Sequence, residues 1–256
     1  MEQPDFERRF SGVRRLYGDL AFKRFSTAHI CVIGMGGVGS WAVEALARNA
    51  IGRLTLIDFD NIAESNVNRQ LHAVEGEFGK AKVLAMAERV HSINPLCEVN
   101  VIEDFVTPEN TETLLSRDYD LVLDATDDVK AKVAMAVYCR DNGLPLVMTG
   151  GAGGRFDPLR IRSADLAKTA GDRLLAKIRN QLRRHHTFPR GERSKFGIPC
   201  IYSDEEMIRP EGESCDAEGG LTRLSCAGYG SSVCVTSAFG MAAAAMSLRL
   251  LCRPNR

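Results

Sequence analysis

The residues best suited to chemistry fall between positions 34 and 128. GMGGVGS (34–40) sets Gly34, Gly36 and Gly39 at G-x-G-x-x-G spacing, with Gly37 between them. Such a turn lets backbone approach phosphates, and the helix N-terminus that follows favours negative charge. Many nicotinamide and flavin enzymes share this spacing. Asp58 comes 19 residues after Gly39, at the end of the next apolar run, where an acid can bind ribose hydroxyls. Beyond it, DFDNIAESNVNRQ and GKAK supply Asp60, Asn66, Arg69, Gln70 and Lys82. Arg grips two phosphate oxygens at once and Lys neutralises a third, so this pair suits a triphosphate better than a nicotinamide dinucleotide. Asp127 ends DLVLDATD and can hold magnesium through an oxygen. Each charge taken singly reads as a solvated surface residue. The ordered set argues for a nucleotide site.

These residues need strand ends and helix starts to hold them. HICVIG (29–34) reads as a buried strand, WAVEALARNAIG as a helix ending near Gly52, and RLTLIDFD (53–60) as a second strand. KAKVLAMAERVHSI (80–93) is a helix closed by Asn94-Pro95, followed by a strand over 97–104. A strand over 119–128, a helix from Val129 to Asn142 and a strand over 144–151 complete the alternation. The order predicts an α/β, Rossmann-like, mostly parallel sheet with helices on both faces. Ahead of it, Phe6, Phe10, Val13 and Tyr17 recur at helical spacing, so residues 5–25 form one or two amphipathic helices. Residues 164–184 read as a basic helix and 185–224 as loops or a flexible insertion. The apolar run 232–248 is at the short limit for a membrane span; its Ala, Ser and Thr favour a buried or dimer-interface helix and leave peripheral membrane association open.

Net charge is zero over 256 residues, yet it is divided. Residues 1–150 hold 16 Lys+Arg against 22 Asp+Glu. Residues 160–195 hold 11 Lys+Arg against three acids, the kind of footprint a phosphate backbone requires. Arg173, Lys177 and Arg184 fall near one helix face, and His185, His186 and Phe188 can stack on bases or serve as ordinary loop residues. The N-terminus lacks a signal-like apolar run, and the eight cysteines are scattered without a C-x-x-C pair. This pattern predicts a reducing, cytoplasmic setting and argues against a four-cysteine zinc.

GMGGVGS, LIDFD, NVNRQ, GKAK and LVLDATDD, in this order and at these gaps, resemble the adenylation domain of the ubiquitin-activating-enzyme-like superfamily, which includes the molybdopterin and thiamine adenylyltransferases. The resemblance covers residues 5–155. It implies that Asp58 binds ribose, that Arg69 and Lys82 bind phosphates, and that Asp127 supports magnesium and the reaction. It also implies a homodimer in which an Arg of the partner's N-terminal helix reaches the phosphates; Arg15 or Arg14 holds that place. RLYG (15–18), TGGAGGRFDP (149–158), DLAKTAGDRLLAKIR (165–179) and SCAGYGS (225–231) are similar to the bacterial tRNA threonylcarbamoyladenosine dehydratase family, also described as partners of a cysteine desulfurase. The resemblance then implies one domain over 1–256, with a Rossmann-like core at 29–155 and a basic insertion at 160–225 that contacts tRNA.

The implied reaction is an ATP-dependent dehydration that closes the threonylcarbamoyl side chain of a modified adenosine into a ring. A carboxylate is a poor electrophile until joined to a phosphoryl or adenylyl group. Arg69, Lys82 and magnesium held by Asp127 would stabilise the charge. The neighbouring urea can then attack within the same molecule, so no enzyme nucleophile is required. Cys226, in the glycine-rich SCAGYGS, reads either as a reactive thiol or as a structural one, with Cys215 and Cys200 weaker candidates. A monovalent cation is left open. The competing readings are an adenylyltransferase for a ubiquitin-like sulfur carrier, an NAD enzyme, and a desulfurase scaffold. An NAD enzyme has no use for Arg69, Lys82 and Asp127.

Overall fold

The computed structural model describes residues 5–191, 193–208 and 229–252. Among the described residues, seven strands form one sheet: β1 (His29–Ile33), β2 (Arg53–Ile57), β3 (Glu98–Ile102), β4 (Leu121–Asp124), β5 (Leu146–Thr149), β6 (Ile161–Asp165) and β7 (Pro199–Ser203). Their order is β3-β2-β1-β4-β5-β7-β6, with every neighbouring pair parallel except β6 and β7. The fold is therefore α/β and Rossmann-like. Chain order reverses between β1 and β4, and a ligand crevice lies at such a switch, beyond the carboxyl ends of the strands. Register fixes what meets there. Ile33 stands beside both Ile57 and Asp124, so Gly34, Asp58 and the chain after Asp124 emerge together.

The helices are α1 (Phe6–Tyr17), α2 (Asp19–Thr27), α3 (Gly39–Arg48), α4 (Lys82–Ile93), the single turn α5 (Thr111–Leu114), α6 (Val129–Asp141), α7 (Arg173–His185) and α8 (Val233–Leu251). Strand alternation divides the core in two. Ile30, Val32, Leu54, Leu56, Leu121 and Leu123 face a layer holding α3, α4 and α8. Cys31, Ile33, Ile57 and Val122 face α6 and α7. Both faces are covered by helices, which explains the nearly continuous burial of β1, β2 and β4. Gly18, at φ 84°, separates α1 from α2, and Phe10 and Phe22 seat the pair against Ala50.

By length and composition α8 is apolar enough to cross a membrane. Here it lies along α3: a Cβ on Gly240 would stand 2.5 Å from the Val38 carbonyl oxygen. Phe239, Ala243, Ala244 and Leu248 are buried in the core. Its small residues permit that close crossing.

Two sequence expectations are corrected, and for Phe188 one of two readings is excluded. Residues 164–184 are not one helix: β6 ends at Asp165, and α7 starts only at Arg173, where Asp172 Oδ1 accepts from Leu175 N at 2.9 Å. Residues 185–224 are not all loop, because PCIYS forms the buried strand β7. Its run is too short to stand out among Pro and Gly. The described part of the basic stretch from 160 contributes β6 and β7 to the sheet. Phe188 is buried beneath the Arg140 guanidinium (4.4 Å) and beside Phe196, so it presents no face to a base.

Candidate active site

The crevice at the switch point is a cleft of about 620 Å³. The turn after β1 forms one wall. Gly34 has φ 90°, and a Cβ there would stand 2.9 Å from the Ala125 carbonyl oxygen. A Cβ on Gly39 would fall 1.7 Å from the Gly34 carbonyl oxygen, so that glycine closes the turn rather than lining the cleft. Gly36 and Gly37 line it.

Asp58 leaves the end of β2 beneath this turn. Its Oδ2 accepts from Met35 N at 2.6 Å and its Oδ1 from Asp60 N at 2.8 Å. Burial raises this carboxyl above the ordinary carboxylate value, while Lys82 and the two N–H groups pull it back. Lys82 opens α4 and is buried, its Nζ 2.8 Å from Asp60 Oδ2. Arg69 Nη1 donates to the Ser65 carbonyl (2.7 Å) and to Asn68 Oδ1 (2.9 Å). Trp41 Nε1 holds the Arg69 backbone carbonyl at 3.1 Å. Asn66 Oδ1 accepts from Ala63 N at 3.1 Å, and buried Gln70 also lines the cleft. Asp127 enters from the loop after β4, next to Asp128, which caps α6 through Ala131 N (2.8 Å).

The structure thus gathers Gly34, Gly36, Gly37, Asp58, Asp60, Asn66, Arg69, Gln70, Lys82 and Asp127 around one space. Arg15 is exposed on α1 and does not line this cleft; Arg14 pairs with Glu7 and Asp19. Cys226 and Cys215 lie outside the described residues. Cys200 is a core residue whose thiol burial pushes well above its ordinary value, which removes it as a reactive candidate.

Sequence reasoning named several residues of the far end of the cleft but did not place them there. Gly150–Gly153, Asp172, Arg173, Met207 and Tyr229 line it, and Asp172 Oδ2 accepts from Gly151 N at 3.0 Å. An Asp directly before an apolar-periodic run was the available signal for Asp172. It missed Lys132, a fully buried cation beneath the site.

A model of the ThiF family matches residues 10–255, and the chain belongs to that family. Within it, the chain is 46% identical over 250 residues to the tRNA threonylcarbamoyladenosine dehydratase of Escherichia coli K12, covering 95% of this chain and 93% of that one. It is 48% identical over 238 residues to the Haemophilus influenzae protein of the same name, covering 92% and 90%. The crystal structure of the E. coli dehydratase in complex with ATP is similar at a TM-score of 0.87 and 43% identity, covering 98% of this chain and 97% of that one.

Proposed function

We propose that this chain catalyses the ATP-dependent dehydration of threonylcarbamoyladenosine in tRNA, closing the side chain into a ring through its activated carboxylate. The carrying observation is the two-ended cleft. One end gathers a phosphate-approaching glycine turn, a ribose-type acid and two cations; the other end leaves room for an acceptor over Gly150–Gly153. Asp58 takes the ribose hydroxyls. Arg69 and Lys82 take phosphate oxygens and stabilise the charge that develops on them. A substrate carboxylate oxygen attacks a phosphorus of ATP and displaces pyrophosphate or ADP; the urea of the same side chain then attacks the acyl carbon, closing the ring with loss of a proton and release of AMP or phosphate.

Magnesium fits this site. Among the described residues no three His, Cys, Asp or Glu side chains gather into a metal cage. Magnesium on a nucleotide is commonly held by one or two carboxylates plus phosphate oxygens, and Asp127 lines the same cleft as Arg69 and Lys82. When bound, magnesium supplies charge neutralisation at the phosphates.

The tRNA lies against the exposed cations of α7, Arg173, Lys177 and Arg184, of which Arg173 also lines the cleft. The functional unit is a homodimer in which Arg15 serves the partner's cleft. Leu16 and Leu20, 77% and 88% exposed beside Gly18, supply apolar surface for that contact. The setting is cytoplasmic, in keeping with the free thiols Cys31, Cys97 and Cys139. Partnership with a cysteine desulfurase rests on the family resemblance, and a pull-down with purified desulfurase tests it.

The test is reconstitution with ATP, magnesium and tRNA bearing the linear nucleoside, followed by mild digestion and mass spectrometry. ATP-dependent appearance of a nucleoside lighter by one water is the expected result. ATP binding without that product would transfer the reading to activation of a ubiquitin-like sulfur carrier.

A further inference from the structure

We propose that Lys132 is a positioning residue that locks the two ends of the cleft to one another, an inference that rests on the dehydratase reading for its catalytic consequence. Lys132 lies in the first turns of α6, has no exposed surface and so does not touch a ligand. Its Nζ stands 3.0 Å from Asp124 Oδ2 and donates to the Thr149 carbonyl at 2.9 Å. Asp124 is the last residue of β4 and Thr149 the last of β5. One ammonium therefore meets two adjacent strand ends, as a hydrogen-bond donor at the Thr149 carbonyl and as a close ion pair without hydrogen-bond geometry at Asp124 Oδ2.

Each strand end launches half of the cleft. After Asp124 comes the loop bearing Asp127, and Asp124 Oδ1 shapes it by accepting from Thr126 N (3.0 Å) and Thr126 Oγ1 (2.8 Å). After Thr149 comes Gly150–Gly153 at the acceptor end. Thr149 Oγ1 donates back to the Asp124 carbonyl at 3.2 Å. The nucleotide loop and the acceptor loop are thus referenced to a single buried charge pair.

Stability alone is a poor reason for such a pair. Desolvating two charges costs more than their attraction dependably returns, and apolar residues of similar volume often hold a core as well or better. What the pair adds is one fixed geometry: a β4 end and a β5 end that cannot slide independently. Intramolecular ring closure depends on that geometry, because misplacement by about 1 Å can cost about a hundredfold in rate.

The test is the double variant Asp124→Asn/Lys132→Met. Asn keeps an acceptor for Thr126, and no charge is left buried alone. Three quantities are compared with wild type: ATP affinity by calorimetry, kcat for dehydration, and amide hydrogen exchange. Expected are a kcat lower by about tenfold or more and an ATP affinity within about twofold. Exchange should be faster by about tenfold at residues 125–128 and 150–153 and unchanged at Gly34 and Ala42. A kcat near wild type with unchanged exchange overturns the proposal. So does a uniform loss of protection with ATP binding and turnover falling together, which marks a merely structural pair. If the double variant does not fold, Asp124→Asn/Lys132→Gln, which also leaves no charge buried alone, carries the same readouts. Failure of wild type to dehydrate tRNA would sink the functional reading, while the exchange pattern still decides the positioning role.

Discussion

Lys82 and Asp60 form an ion pair of unequal partners: the lysine side chain is 6% exposed and the aspartate 54%, with Nζ and Oδ2 2.8 Å apart. The cation is held inside the cleft wall, and its counter-ion faces water. Replacing Lys82 by Met leaves Asp60 solvated but removes the charge that eases the buried Asp58 carboxyl, so a modest loss of stability accompanies it. Loss of a charge-assisted hydrogen bond to phosphate costs about 1.5 to 3 kcal/mol, so ATP should bind about 10- to 100-fold more weakly. Calorimetry with ATP beside a thermal melt checks this. Equal ATP affinity in the variant would remove Lys82 from the phosphate site.

Gly36 and Gly39 belong to one turn and predict opposite outcomes. A Cβ on Gly36 meets nothing within 4 Å, whereas one on Gly39 would overlap the Gly34 carbonyl. Gly36→Ala should fold with stability within about 0.5 kcal/mol of wild type and still weaken ATP, because the methyl enters the space for phosphates. Gly39→Ala should cost about 3 kcal/mol or more, since backbone must move. Chemical denaturation of both variants decides; equal stabilities would refute the turn geometry.

His72 is buried, with no hydrogen-bond partner on either ring nitrogen among the described residues. Burial, helped by the charge of Lys82, pushes its imidazole down from 6.5 to about 4. The folded value lies below the unfolded one, so the unfolded chain takes up the proton first. Stability from this residue is complete above pH 6.5 and is lost as pH falls from there toward about 4. At pH 4.5 the loss should reach about 2 to 3 kcal/mol. Urea unfolding at pH 7 and 4.5 should show a smaller acid loss in His72→Leu than in wild type. Parallel pH dependence in the two would refute it.

The nucleotide end of the cleft was legible because its residues are short-range: Gly34 to Lys82 span two strand–helix junctions, and each junction carries its own local signal. The acceptor end was not, because it depends on pairing across distance. Asp172 reaches Gly151 only once β7 has entered beside β5, and PCIYS is too short to announce itself among loop residues. Lys132 escaped for a different reason. In KAKVAMAV it looks like a solvated helix lysine, and only the register of β4 and β5 turns it inward. The basic count over 160–195 was likewise an overestimate of free charge. Arg179 donates to Thr169, and Arg160 and Arg162 pair with Asp204.

That last distinction sets the sharpest test of the tRNA face. Arg184 is exposed near the end of α7, remote from the nucleotide residues in sequence, while Arg179 is engaged internally and half-buried. Arg184→Ala should weaken tRNA binding, lower the slope of log affinity against log salt by about 0.7 to 0.9, and leave ATP affinity unchanged. Arg179→Ala should instead lower stability with little change in that slope, because its guanidinium holds the Thr169 turn rather than a phosphate. Filter binding of tRNA across a salt series, with a melt for each variant, separates the two. If Arg184→Ala leaves the slope at the wild-type value, α7 is not the phosphate-contacting face, and the tRNA must approach the cleft from another side.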